Sequence, residues 1–207
     1  MLLILATSFF KATEKEHFSV ATFIKMKIKY SRKIDKEIFD EVNRMRKKLS
    51  PIFGFQFPKI QFDKRVILIA KAVVAVTGKF INENGMKTIM SKIYREKMPS
   101  ITIYVNTTPF STWNVKEKWI SISFTRIGKK FYETACHETN HFMYDFVFKT
   151  KKYQDTEIKE TLTVLNNVFG ITDVGWSKFS KQRKKVLKFY NKTKDFKKTI
   201  NYAQSLF

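Results

Sequence analysis

Two histidines and a glutamate form the pattern in this chain that most directly suggests chemistry. Residues 137–141 read His-Glu-Thr-Asn-His, and the 207-residue chain contains only three histidines. A helix turns about 100° per residue, so His137 and His141 lie within roughly 40° of each other on consecutive turns. Two imidazoles at that spacing can bind one zinc ion, and Glu138 can reach a water that the metal activates. The motif predicts a zinc-dependent hydrolase with Glu138 as general base.

A catalytic zinc ion needs a third protein ligand and an open fourth position. No histidine follows His141 in the sequence, so the third ligand must be a carboxylate. The next predicted helix offers Glu157 and Glu160, and Glu160 points away from the apolar stripe of that helix. From its position alone, Glu160 could equally be an ordinary solvated side chain.

Other residues are candidates to support the metal ligands and the reaction. Metal-bound histidines usually donate their second N–H to an acceptor, for which Asp145 and Asn167 are the candidates. A second electrophile normally stabilises the developing oxyanion, and the candidates downstream are Tyr190, Tyr202 and Arg183.

The sequence predicts most strands in the N-terminal half of the chain and mainly helices after residue 128. An amphipathic helix from about Ile34 ends before Pro51, and Asn82–Gly85 signals a turn before a short helix to about Lys97. Strands are predicted at Lys59–Asp63, Ile101–Asn106 and Trp119–Thr125, whereas Val66–Thr77 could be a strand or a buried helix. Helices are predicted at about 128–149, 155–169, 177–190 and 194–205. This order predicts an α+β domain with a small mixed sheet in its N-terminal half.

The predicted strands also suggest how a peptide could bind. A peptide can add to the edge of a sheet, and either Ile101–Asn106 or Trp119–Thr125 could supply that edge. The connecting segment Thr107–Lys118, which contains Trp113, is then either a rim of the cleft or an ordinary surface loop.

The pattern His137-Glu138-x-x-His141, followed by eighteen residues and Glu160, resembles the gluzincins, the zinc peptidases related to thermolysin and the neutral aminopeptidases. The resemblance covers about Trp119–Phe169 and implies a zincin-like fold and hydrolysis of peptide bonds. It implies that His137, His141 and Glu160 hold Zn²⁺ and that Glu138 is the general base. The chain departs from thermolysin-like enzymes in having Val164 four residues after the third ligand, where they carry an aspartate. It also lacks the third histidine of metzincins and of SprT-like proteases.

The amino-acid composition suggests which partners the protein could bind. A net charge of +22 suggests an anionic partner, either nucleic acid or a membrane surface, although lysines spread along a chain usually form a solvated surface. The alternative to a peptidase is therefore a basic nucleic-acid-binding module whose HExxH site is structural or degenerate. A third hypothesis is a membrane- or wall-associated protein anchored by its basic C-terminal helices.

The domain organisation and compartment are also predicted. We expect an N-terminal extension at 1–25 and a single domain at 26–207, with a sheet-containing half at about 51–126 and a helical half at about 128–207. The single cysteine, Cys136, excludes an internal disulfide and is predicted to pack rather than to bind metal. The expected substrate is a peptide or protein, the expected state is a monomer and the expected compartment is the cytoplasm.

Overall fold

The computed structural model describes residues 27–53, 65–77, 83–173 and 175–207. The elements in these ranges are, in chain order, β1 (Ile28–Tyr30), α1 (Arg32–Phe53), α2 (Val66–Thr77), α3 (Glu83–Tyr94), β2 (Thr102–Asn106), β3 (Thr112–Asn114), β4 (Trp119–Ser123), α4 (Lys129–Phe148), α5 (Thr156–Leu162), α6 (Ser180–Thr193) and α7 (Phe196–Gln204). Two 3-10 helices, Thr163–Phe169 and Ser177–Phe179, follow α5 and precede α6. A small mixed sheet, with helices both before and after its strands β2 to β4, confirms the predicted α+β class.

The sheet of the described residues has four strands in the order β1-β2-β4-β3. β1 and β2 are parallel, β2 and β4 are parallel, and β3 pairs antiparallel with β4. The prediction that Ile101–Asn106 or Trp119–Thr125 supplies a sheet edge was wrong, because β2 and β4 are the two central strands. The edge beside α4 is β3, which lies inside the segment predicted to link them.

Each face of the sheet is covered by helices. Ile103, Ile120 and Ile122 point to the main core, which they share with buried residues of α2, α3 and α4. On the opposite face, Trp119 packs against Ile34 and Ile38 of α1. Because side chains alternate along a strand, two covering layers bury both sets of residues.

The serines of the WISISF run are buried, although alternation of polar and apolar residues along a strand usually indicates that one face of the sheet is exposed to solvent. Asn106 Nδ2 donates to Ser121 Oγ at 2.8 Å, and Ser123 Oγ donates to the carbonyl of Thr108 at 2.7 Å. All five residues of β4 are buried. The serine hydroxyls therefore form a hydrogen-bonded polar layer beneath the loop that precedes β3.

Several predicted boundaries need correction. Val66–Thr77, left open between strand and helix, is α2, and the first helix continues through Pro51 to Phe53, since a proline removes one hydrogen bond without forbidding a further turn. Gly85 lies within α3 rather than in a turn. The predictions for Lys59–Asp63 and for the extension at 1–25 lie outside the described residues.

A buried ion pair joins the two helices that carry the candidate ligands. Lys159 Nζ of α5 lies 2.7 Å from Asp145 Oδ1 of α4, and both side chains are 1% exposed. Lys159 also donates to the carbonyls of Lys151 and Lys152, at 3.3 and 2.8 Å, and Trp113 Nε1 of β3 donates to Asp145 at 2.7 Å. These bonds compensate the desolvation of both charges, so the pair fixes α5 against α4.

The surface of the helical half is strongly basic. Exposed lysines follow the outer side of α6, opposite the buried Arg183, Val186 and Tyr190: Lys181, Lys184, Lys185, Lys188 and Lys192. Among the helices described, none combines the length and the hydropathy that a membrane span requires.

The ion pair between α4 and α5 leads to a prediction about stability. Lys159→Met should lower the free energy of unfolding by about 3–5 kcal/mol, because it leaves the Asp145 carboxylate buried and unpaired. Urea denaturation followed by circular dichroism measures this change. Adding Asp145→Asn should restore part of the loss. Lys33→Met, which breaks the exposed Lys33–Glu37 pair, is the control and should change nothing measurable. An equally small effect of Lys159→Met would contradict the structural role of the buried pair.

Candidate metal centre

The HExxH motif lies in the middle of α4, as its periodicity predicts, and faces a cavity of about 480 Å³. The histidines and Glu138 form one wall of this cavity, and β3 with its preceding loop forms another. The segment that contains Trp113 is therefore a rim of the cavity, which decides between the two alternatives left open for it. α5 and the loop before α6 complete the walls.

His137, His141 and Glu160 converge on one point at the cavity wall, where they could hold a metal ion. The two Nε2 atoms are 2.9 Å apart, and the carboxylate oxygens of Glu160 lie 3.3 Å from His141 Nε2 and 3.6 Å from His137 Nε2. Zinc bonds of about 2.0–2.1 Å in a tetrahedron separate neighbouring ligand atoms by roughly 3.4 Å. The two separations that involve Glu160 match that spacing, and the two imidazole nitrogens lie about 0.5 Å closer than it. Glu157, the other candidate, is exposed.

The polar atoms around this point also fit a cation. Glu138 Oε2 and Glu160 Oε2 are buried and lack a hydrogen-bond partner among the described residues. Buried polar atoms without partners are rare in folded proteins. Two ring-nitrogen lone pairs facing each other also repel unless a proton or a cation lies between them. The cluster therefore has unsatisfied acceptors that a metal ion and its solvent would satisfy.

Asp173, which the sequence analysis missed, accepts the second hydrogen bond of His137. Its Oδ2 lies 2.9 Å from His137 Nδ1. A carboxylate at Nδ1 holds the proton there, so the lone pair of the neutral ring is on Nε2, towards Glu160 and His141. Nothing in the spacing of the motif indicates Asp173, because it lies in the loop between the 3-10 helix after α5 and the one before α6.

Arg183 of α6 holds Asp173 in place. Its guanidinium donates to Asp173 Oδ1 at 2.9 Å and to the carbonyls of Asp173 and Glu160, each at 2.7 Å, and it also contacts Thr163 Oγ1. A Cβ at Gly175, whose φ is +59°, would lie 2.5 Å from the guanidinium, so glycine permits this close packing. The prediction that Arg183 is an electrophile in the cleft was wrong, because it is buried behind the ligands.

The other predicted supporting residues do not contact the nitrogen atoms of the two histidines. Asp145 does not reach a histidine nitrogen; it binds Trp113, whose ring centroid is 4.7 Å from that of His141. Asn167 Oδ1 accepts from the backbone N–H of Asp173 at 2.8 Å. Tyr190 and Tyr202 stack on aromatic rings of the helical half and do not line the cavity.

Tyr153 is the tyrosine that lines the cavity, and the sequence analysis missed it. It lies in the turn before α5 and hydrogen-bonds to Glu41 of α1. Its neighbour Lys152 binds the same carboxylate at 2.7 Å. α1 therefore contacts the wall of the cavity that lies beside α5.

Burial and charge set the protonation of the ligands. Burial would lower the pKa of His137, but Asp173, Glu160 and Glu138 together raise it to about 10. Burial would raise the pKa of Glu160, but His141 and His137 lower it below its ordinary value. The acidic groups that favour a proton on His137 favour a metal cation for the same electrostatic reason.

Glu138 differs from the ligands because its environment favours the protonated form. Burial raises the pKa of Glu138 to about 7, against a lowering by His137. A carboxyl group with a pKa near neutrality can both accept and release a proton at physiological pH. The position and the pKa of Glu138 therefore suit a general acid–base residue.

Cys136 packs in the core, as predicted. It is fully buried among apolar side chains, and burial raises the pKa of its thiol to about 12. A thiol in that state is a poor metal ligand.

Comparison of the chain with protein-family models, with curated proteins and with solved structures found no match. The resemblance to gluzincins therefore rests on the motif and on the spacing to Glu160, and it stays a prediction.

The convergence of the three side chains predicts that Glu160→Gln weakens metal binding. An amide is a poorer ligand than a carboxylate and carries no charge to offset that of the cation, so we expect zinc affinity to fall at least about tenfold. Competition titration against a chromophoric chelator measures the affinity. Glu157→Gln on the exposed side of α5 is the matched control and should bind as the wild type does. Unchanged affinity in Glu160→Gln would remove Glu160 from the ligand set.

Asp173→Asn tests the support of His137. Loss of the carboxylate that orients a metal-binding histidine typically weakens the metal site 10–100-fold, and we expect a decrease of about that size in zinc affinity. Asp35→Asn is the control, since Asp35 is also buried and hydrogen-bonded, to Tyr30 and Thr107, but lies away from the cluster. It should lower thermal stability and leave zinc affinity unchanged. Equal zinc affinities in both variants would contradict the role of Asp173.

Proposed function

We propose that this protein is a zinc-dependent hydrolase of peptide bonds. The observation that carries the proposal is the convergence of His137, His141 and Glu160 on the wall of an open cavity, with the buried carboxyl group of Glu138 beside them. Two imidazoles and one carboxylate, with a fourth position open to solvent, form the donor set of catalytic rather than structural zinc sites.

The choice of zinc rests on the donor atoms. Two imidazole nitrogens favour zinc over magnesium or calcium, which bind oxygen ligands. Four-coordinate geometry is also the commonest arrangement for zinc, and the spacing of the donor atoms fits it.

Glu138 would perform the proton transfers of the reaction. Bound zinc supplies a lowered pKa for the attacking water and polarisation of the scissile carbonyl. Glu138, whose side chain lines the cavity, would take a proton from that water and donate it to the leaving nitrogen. Asp173 and Arg183 keep His137 oriented throughout. Tyr153 lines the same cavity, but its one hydroxyl proton is donated to the Glu41 carboxylate.

The edge strand beside the cavity supports a peptide as substrate. β3 pairs with β4 on one side only among the described strands, so its other side offers backbone donors and acceptors to an extended chain. Thr112 and Trp113 of β3 line the cavity that holds the metal cluster. A peptide added to this edge would run past the ligands with its backbone held in register.

The family and fold proposals follow from the same residues. A mixed sheet beside a helix that bears HExxH is compatible with a zincin-like domain, and the spacing to Glu160 is similar to that of gluzincins. Binding of nucleic acid or an anionic membrane stays a prediction from the net charge. The exposed lysines of α6 are separate from the cavity, which no residue of that helix lines. Cytoplasmic localisation and a monomeric state also stay predictions.

Glu138→Gln tests the proposed reaction. The variant should bind one equivalent of zinc, as the wild type does, because Glu138 is not a ligand. It should hydrolyse a peptide library at least about 100-fold more slowly, because it loses the group that transfers protons. Metal analysis gives the zinc content, and mass spectrometry of the digest gives the rate. Glu157→Gln is the control and should retain full activity. A zinc-loaded wild type that cleaves no peptide would refute the proposal, whereas full activity in Glu138→Gln would remove Glu138 from the mechanism.

A further inference from the structure

The cavity that contains the metal cluster has cationic side chains at one end. Arg126 lines it just beyond β4, and its exposed guanidinium has no partner among the described residues. Lys130, the second residue of α4, lines it too. The acid at this end is Glu133, which both Lys129 and Lys130 approach, at 3.5 and 3.1 Å. Two lysines therefore share one carboxylate, and Arg126 adds an uncompensated positive charge.

The distance from this end to the ligands corresponds to a short piece of peptide. Lys130 precedes His137 by seven residues on α4, which is about 10 Å along the helix axis at 1.5 Å per residue. An extended peptide rises about 3.4 Å per residue, so roughly three of its residues cover that distance. The reach of an arginine or lysine side chain shortens the span to two or three residues.

The sheet determines which end of a bound peptide points to Arg126. β3 is antiparallel to β4, with Thr112 opposite Ser121 and Asn114 opposite Trp119. A peptide that adds antiparallel to β3 therefore runs in the same direction as β4. β4 ends at Ser123, and the backbone N–H of Arg126 donates to the Ser123 carbonyl in the turn that follows. The C-terminal side of the peptide thus extends towards Arg126.

From this arrangement we infer that the cavity selects substrates with a carboxylate two or three residues after the scissile bond, and that Arg126 is the residue that binds it. The inference rests on the proposed function, because it uses the metal cluster as the point of cleavage. The carboxylate can belong to an Asp or Glu side chain or to the C-terminus of a short peptide. Both sources present the same charged group to the guanidinium.

Metal-chelating peptides test this inference without any need for turnover. Each probe carries a malonyl hydroxamate at its N-terminus, so chelation of zinc fixes the register and the peptide extends to the C-terminal side. Two series, Phe-X-Ala-amide and Phe-Ala-X-amide with X as Asp, Asn or Lys, locate the charge. The Asn probes with a free terminal carboxylate distinguish the terminal source from the side-chain source. Quenching of tryptophan fluorescence in the zinc-loaded protein measures binding, since Trp113 and Trp176 line the cavity.

We expect the better Asp probe to bind roughly two- to fivefold more tightly than its Asn partner at low salt, the usual effect of one exposed ion pair. The difference should shrink as salt is added. Arg126→Ala should equalise the two probes, and Arg126→Glu should reverse the order so that the Lys probe binds more tightly than the Asp probe. Lys116→Ala is the matched control, because Lys116 is exposed beyond the opposite end of β3 and does not line the cavity. It should leave the Asp-to-Asn ratio unchanged.

Equal affinity of the wild type for all Asp and Asn probes would overturn the inference, as would a ratio that Arg126→Ala leaves intact. A ratio lost in Lys116→Ala instead would show that the peptide runs in the other direction. Failure of the proposed function would look different. The probes would bind zinc with the expected charge preference, yet the wild type would cleave no peptide.

Discussion

The ion pair between Lys159 and Asp145 is the interaction on which the geometry of the candidate metal centre depends. It lies between α4, which carries both histidines, and α5, which carries Glu160 directly after Lys159. Because both charges are withdrawn from water, any loosening of α5 would expose one of them without its partner, at a cost of several kcal/mol. Asp145 also accepts from Trp113, so the same carboxylate aligns the edge strand with the histidine helix. One buried pair thereby positions all three walls of the cavity.

A second buried pair supports the ligands from behind. Asp173 contacts His137 on one side and Arg183 on the other, and Arg183 in turn binds the carbonyl of Glu160. The arginine lowers the cost of burying an aspartate next to a glutamate ligand, since it supplies the positive charge that two neighbouring carboxylates need. The acid that supports His137 therefore comes from the loop after the 3-10 helix that follows α5, and the apolar Val164 packs in the core.

The cavity combines opposite charges at its two ends. Acidic groups surround the candidate metal ligands, and Arg126 with Lys130 lines the end near the start of α4. A strongly basic surface elsewhere, including the outer side of α6, adds long-range attraction for anionic molecules that salt would screen. The inferred preference for a substrate carboxylate therefore depends on Arg126, which has no partner among the described residues, rather than on the net charge of the protein.

The sequence by itself determined the HExxH motif and the class of fold. His137 and His141 share one helical face because of their spacing, and the absence of a later histidine predicted a carboxylate as the third candidate ligand. The longer helices and the central strands followed from local periodicity. Tertiary structure decided the rest, because contacts between distant segments carry no periodic signal. It brought Glu160, which the sequence already favoured over Glu157, to the two histidines, and it brought Asp173 to His137. It also made the three-residue β3, rather than β2 or β4, the edge strand. In Val66–Thr77 an apolar run fits either state, and the structure shows a helix that packs its buried residues Ala70 and Val73 against the sheet.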